Sequence, residues 1–356
     1  MSRYYTAAGP PVMTYGEIIA GWRRTGPATT FASPTQQAPR KHASHLTALD
    51  PDMHNLGKLT LYVTAFVVTI SLLEAFFLAR KAKRQGKDYP WHEVTLSLAD
   101  LAGRKLLALL PLSLAAPVFA FAWQHRFFTV EIDNALAVLL LFLGQEFCYY
   151  WYHRASHRIR FFWATHAVHH SPNELTLGTA YRLGWTGKTT GTAIFFAPLV
   201  FLGVRPEVVL ATVSLNLLYQ FWLHTTWIPR LGWLEYVFNT PSAHRVHHAS
   251  NIDYLDANFG GVLVIFDRLF GTYVEEREEE PCRYGLVHPT TTHNPLVNQF
   301  EHWVGLGRDM ANAGSVRNAM GYLVMPPGWT PDGSGETTEG LRLQAQAERA
   351  VAVEAR

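Results

Sequence analysis

"TPSAHRVHHASN", residues 240–251, crowds His244, His247 and His248 into five positions. On a helix, residues three and four apart share a face, so H-x-x-H-H projects its three imidazoles in one direction. The same spacing recurs upstream in "FFWATHAVHHSPNE" (161–174), with His166, His169 and His170. Just ahead of it, "YYWYHRASHRIR" (149–160) adds His153 and His157 at H-x-x-x-H. Neutral imidazole is a common ligand of transition metals, and clusters on facing helices of a bundle can hold two ions. One such box can arise by chance in a chain with 17 histidines; two of them beside H-x-x-x-H mark a metal site.

Around the boxes the chain is built of apolar blocks. Residues 60–79, "TLYVTAFVVTISLLEAFFLA", carry a single acid, Glu74, and are long enough to span the roughly 30 Å of a bilayer core as a helix. Further runs cover 106–123, 135–152, 191–204 and 207–223, the last two joined by the turn-like "GVRPE" and read as a tight helical hairpin. Each of these two is near the lower limit for spanning, so a buried core helix remains the alternative. With a net charge of +2, 16% charged residues and no extended Lys/Arg tract, nothing points to a nucleic-acid partner. Cys148 and Cys282 make no disulfide framework, and the N-terminus lacks the apolar core of a cleavable signal.

The fold class expected is all-α: an integral membrane, multi-pass helical bundle with a histidine-rich metal-binding cap. The link "RKAKRQGKDYPWHE" carries Arg80, Lys81, Lys83, Arg84 and Lys87, which assigns it to the cytoplasm by the positive-inside rule. Counting crossings from there brings all three boxes to the cytoplasmic face. Residues 1–55 read as an N-terminal tail, 56–290 as the membrane domain with a core at about 135–275, 291–325 as a helical extension, and 326–356 as a linker and tail dispensable for chemistry.

Two polar stripes lead to the boxes. Stepping back from His157 and His153 along a helix reaches Tyr150 and Glu146, an acid inside an apolar span, and ionisable residues at that depth are usually functional. In the fifth run Asn216, Gln220 and His224 fall at four-residue steps, which adds His224 to the metal-site histidines and offers Asn216 and Gln220 as partners that orient ligands. Of the other histidines, His288 in "YGLVHP" stands out; the rest read as surface or loop residues.

"YHRASH", "HAVHH" and "HRVHH", followed by "NFGGVLVIFDRLFGTY", resemble the fatty acid hydroxylase superfamily, also called the sterol desaturase family, over about 135–290. "LNLLYQFWLHT", "LEYVFNTPSAHRVHHASN", "DANFGG" and "YGLVHP" are similar to its alkylglycerol monooxygenase branch. The resemblance implies a non-haem di-iron membrane enzyme that uses O2 and two electrons from a separate donor protein or reductant to hydroxylate, or sometimes desaturate, a lipid. It implies metal-binding roles for His153, His157, His166, His169, His170, His244, His247 and His248, with His224 matching the histidine that ends the preceding membrane helix. Glu146 stands where the family often has an aspartate, a catalytic position beside the iron. "LTLGTAYRLG" keeps Thr179 and Arg182 near the expected substrate entry but departs from the family's usual wording, so neither an ether lipid nor a pterin requirement is carried over firmly. Fatty acyl chains and sterols stand beside ether lipids as substrates. A desaturase on the same site, a zinc-dependent hydrolase and a metal transporter remain the alternatives.

Overall fold

The computed structural model describes residues 51–354. Its contacts divide the chain into Met1–Phe66 and Val67–Arg356; of the first unit only the opening turns of a helix are described. Every regular element among the described residues is helical, apart from isolated bridges at Phe238–Leu263 and Ala249–Tyr284. Of the expected N-terminal tail, residues 1–50, with His42 and His45, lie outside the described residues, while 51–55 open α1 rather than a tail.

Among the described residues, two helices are long and apolar enough to cross a membrane: Gly57–Arg84, within α1 (Pro51–Arg84), and α4 (Ala135–Arg158). Asn134 starts α4 by accepting the Ala137 N–H at 3.0 Å. The helix then turns Leu136, Val138, Leu139 and Leu140 outward while burying Gln145, Glu146, Tyr149, Tyr150, His153 and His157. Apolar outside and polar inside is the arrangement a lipid solvent favours, because buried neighbours must satisfy every polar group.

The run at 106–123 is not one helix. α2 (Trp91–Leu107) stops and α3 (Ala115–Gln124) begins only after an irregular stretch around Pro111. Proline has no N–H to donate and disfavours helical geometry at the preceding residue, and Leu114 N–H is taken instead by Lys188 O at 3.0 Å. α3 is thus only about 15 Å long.

The hairpin expected at 191–223 is present in shortened form. A 3-10 turn, Thr192–Phe196, runs into α6 (Ala197–Phe201), and α7 (Pro206–Gln220) returns into a 3-10 turn at Phe221–Leu223. Between them Gly203 has φ +105°, and a Cβ there would meet Phe128 O at 2.3 Å. Phe127 N–H bonds to Phe201 O at 2.7 Å and Val130 N–H to Gly203 O at 3.0 Å, fastening the α3–α4 link to the hairpin turn near the N-terminal end of α4.

The boxes gather at the other end. Ile159, in extended geometry, breaks α4 from α5 (Arg160–His170), which folds back with the second box. α8 (Pro241–His247) carries the third box and is capped by the Thr240 hydroxyl. Glu74 of α1 reaches the same layer, accepting from Leu177 N at 2.6 Å and from the Thr225 hydroxyl at 2.8 Å. α9 (Ile265–Phe270) packs on α4, and α10 (Pro295–Ala311) packs on α5 and on α11 (Val316–Val324). The presumed tail is a 17-residue helix, α12 (Thr338–Glu354).

Candidate metal centre

The nine histidines singled out from sequence come together as two adjoining groups. His153, His157, His166, His170 and His247 form one, and His169, His224, His244 and His248 the other; in each, the ligand nitrogens lie within 4.8 Å of one another. His170 and His248 stack across the boundary at 4.4 Å between ring centroids.

The hydrogen bonds fix which nitrogen is free. His153 Nδ1 meets Phe259 O at 2.9 Å, His247 Nδ1 meets Ala257 O at 2.9 Å, His224 Nδ1 meets Gln220 O at 2.8 Å and His169 Nδ1 meets Arg182 O at 3.2 Å. A carbonyl only accepts, so in each neutral ring the proton is on Nδ1 and the lone pair on Nε2. His157 Nδ1 is placed the same way by Asp256 Oδ1 at 3.3 Å.

The consequence is a set of inward lone pairs. His224 Nε2 and His169 Nε2 face each other at 3.2 Å with no proton to share, a repulsive contact in a neutral protein that a cation would turn into common ligation. His157 Nε2 and His247 Nε2 are buried without a protein partner. Nε2–Nε2 separations of 2.9–3.2 Å recur through both groups. Two nitrogens about 2.1 Å from one ion at right angles would be about 3.0 Å apart, so the donor set fits transition-metal ions without rearrangement.

Electrostatics keep these rings in ligand form. Burial, reinforced by repulsion among the histidines, holds His166, His170, His244, His247 and His248 well below the ordinary imidazole range. Burial brings His169 down to about 4. Neutral imidazole is the form that binds a metal, and no proton has to be expelled at neutral pH.

The remaining sequence candidates occupy other positions. Glu146 accepts from Asn216 Nδ2 at 2.5 Å and from Val262 N and Leu263 N at 2.8 Å each, and joins neither histidine group. Asn216 Oδ1 accepts from Gln220 Nε2 at 2.5 Å, and Tyr149 donates to Gln220 Oε1 at 3.0 Å, so the stripe is one bonded chain. Gln220 touches the metal layer through its backbone carbonyl rather than its side chain. Thr179 closes a capping box with Thr176. Arg182, 1% exposed, pairs with Glu93 and donates to Asn298, while lining a polar pocket with His92, Asn173 and His293. His288 is exposed and paired with Glu336 at 2.6 Å.

Sequence reading missed Asp256 and the carbonyls of Ala257, Phe259 and Arg182. All lie in loops or single turns, and carbonyl acceptors leave no mark in the residue type.

Residues 138–272 match the family model of the fatty acid hydroxylases. Alkylglycerol monooxygenase of Xenopus tropicalis is 38% identical over 214 residues, covering 60% of this chain and 47% of the relative. The Homo sapiens protein of that name is 36% identical over 270 residues, 75% of this chain and 59% of its own. Ornithine lipid hydroxylase OlsE of Rhizobium tropici is 28% identical over 233 residues, 64% of this chain and 70% of the relative. The chain thus spans about half the length of the first of these relatives. No solved structure matches it. The stretch 138–272, which matches the fatty acid hydroxylase family model, holds all nine grouped histidines.

Proposed function

We propose that this protein is a membrane-bound di-iron monooxygenase that hydroxylates a lipid with O2 and two electrons from a separate donor. The observation that carries the reading is the pairing of two all-histidine groups into which the Nε2 lone pairs of His153, His157 and His247 on one side, and of His169 and His224 on the other, converge. Bound there, two iron ions would supply oxygen activation and oxidation of an unactivated C–H bond. The chain's part is positional. Carbonyls of 182, 220, 257 and 259 hold the rings, and burial keeps them neutral and the layer dry.

The similarity to proteins named alkylglycerol monooxygenase, at 36–38% identity, favours an ether lipid over the ornithine lipid named in the more distant relative. Hydroxylation of the carbon beside the ether oxygen gives a hemiacetal, which collapses to an aldehyde and an alcohol. We place the histidine layer on the cytoplasmic side, at the depth of the lipid headgroups, because the basic end of α1 and the boxes share one end of the bundle. Two closed histidine groups exceed the three ligands and open position of a catalytic zinc, and they do not line a path across the bilayer as a transporter would need.

The test pairs metal analysis with lipid mass spectrometry. Protein purified without oxygen should carry about two irons per chain, the number the two groups provide for. Cells grown under oxygen-18 should contain a lipid with one labelled oxygen, or the aldehyde released from it. His247→Ala should lower that product at least about a hundredfold while membrane insertion persists. Activity retained with one zinc and no iron would end the di-iron reading. A product that has lost two hydrogens without label would replace hydroxylation by desaturation.

A further inference from the structure

The two histidine groups are oriented by different parts of the chain. In the five-histidine group, three rings take their acceptors from one short loop: His157 from the Asp256 carboxylate, His247 from Ala257 O and His153 from Phe259 O. In the four-histidine group, His169 and His224 are held by Arg182 O and Gln220 O, elsewhere in the fold.

The loop does not hold its shape alone. Asp256 and Asn258 both have positive φ, +51° and +56°, a geometry that costs a residue with a side chain unless its surroundings fix it. Asn258 is fixed from within, its amide spanning Ala243 O and Val274 O at 2.9 and 2.8 Å. The outer face of the loop is gripped by α12. Arg342 donates to Leu255 O at 2.5 Å and to Ile252 O at 3.4 Å, and Arg349 pairs with Asp253 at 3.1 Å. Arg158, beside His157 in sequence, bridges Asp256 at 2.9 Å and Glu339 of α12.

We infer that the C-terminal helix is a strap for one metal subsite: α12 sets the loop 252–259, and through it Asp256 and two carbonyls orient His157, His247 and His153. Asp256, Arg342 and Glu339 are positioning residues, acting on the metal through other groups. This rests on the two-metal reading above, and it makes the subsites unequal, since the four-histidine group takes no acceptor from the strapped loop. A carboxylate or carbonyl behind a metal-bound histidine is commonly worth about 10- to 100-fold in metal affinity.

The experiment uses full-length protein and three variants, loaded with ferrous iron without oxygen and then exposed to a chelator. Wild type should release its two irons slowly. Asp256→Gly removes the carboxylate with a residue suited to positive φ, and Arg342→Ala loosens the strap; each should release one iron about 10- to 100-fold faster and the second at the wild-type rate. Asp256→Asn, which keeps an acceptor and tolerates the same φ, should restore slow release. Hydrogen exchange, read on the metal-free protein, should rise at 252–259 in Arg342→Ala and stay unchanged at 216–224. Equal release of both irons in Asp256→Gly and Arg342→Ala, or unchanged exchange at 252–259, would overturn the strap. Wild type that binds fewer than two irons would instead sink the two-metal reading, and the exchange result would still decide whether α12 holds the loop.

Discussion

Glu146 lies seven residues ahead of His153 and spends its carboxylate on Asn216, Val262 and Leu263. It therefore anchors the chain just beyond Phe259, whose carbonyl holds His153. Glu146→Ala would leave two backbone N–H groups and an amide without their acceptor, each buried donor costing about 1–3 kcal/mol. The variant should unfold in detergent well below wild type, with Glu146→Gln in between because it retains one acceptor oxygen. A thermal melt followed by size-exclusion fluorescence reads this, and an Ala variant as stable as wild type would refute the anchoring role. The histidines themselves were legible because helical spacing writes a shared face into the sequence, and His224 followed from the four-residue stripe with Asn216 and Gln220. Asp256 was not, because a loop acid has no period to betray it.

At the scale of elements, apolar content marked the two helices long enough to cross a membrane, but not where the shorter apolar runs begin and end. Pro111 stood in the middle of the run at 106–123, and neighbouring helices in a membrane protein often absorb a proline; here the chain breaks instead and Leu114 bonds to Lys188. The hairpin was legible from "GVRPE", whose glycine carries the turn. Gly203→Ala would combine a φ of +105° with a Cβ pressed against Phe128 O. The expected loss is roughly 1–3 kcal/mol from backbone strain alone, more if Phe128 cannot shift. Detergent-extracted Gly203→Ala should melt below wild type, and an unchanged melting temperature would show that the two links can part without cost. The role of α12 was invisible beforehand, since an Ala-, Glu- and Arg-rich helix looks like solvated surface until Arg342 is seen to end on loop carbonyls and Arg349 on the Asp253 carboxylate.

For the molecule as a whole, the proposed orientation puts the histidine end of α4 on the cytoplasmic side and the α3–α4 link on the other. Thr291, exposed beside the Asn173–Thr290 contact at the histidine end, and Glu131, exposed in the α3–α4 link, are suitable reporters. In a background with Cys148 and Cys282 replaced by alanine, a cysteine at 131 should react with an impermeant thiol reagent in intact cells. One at 291 should react only after lysis. The reverse pattern would turn the protein over in the membrane.

α4 is about 36 Å long and α3 about 15 Å, against a hydrocarbon core of about 30 Å. One flank of the protein therefore matches an ordinary bilayer while another offers about half its thickness. Hydrophobic mismatch of that kind is relieved by local thinning, which draws headgroups inward along the short flank. If the protein oxidises a glycerol-based lipid as proposed, carbons next to the glycerol would then meet the histidine layer without being lifted out of the bilayer, and the thickness of the host membrane would bear on which bond reacts.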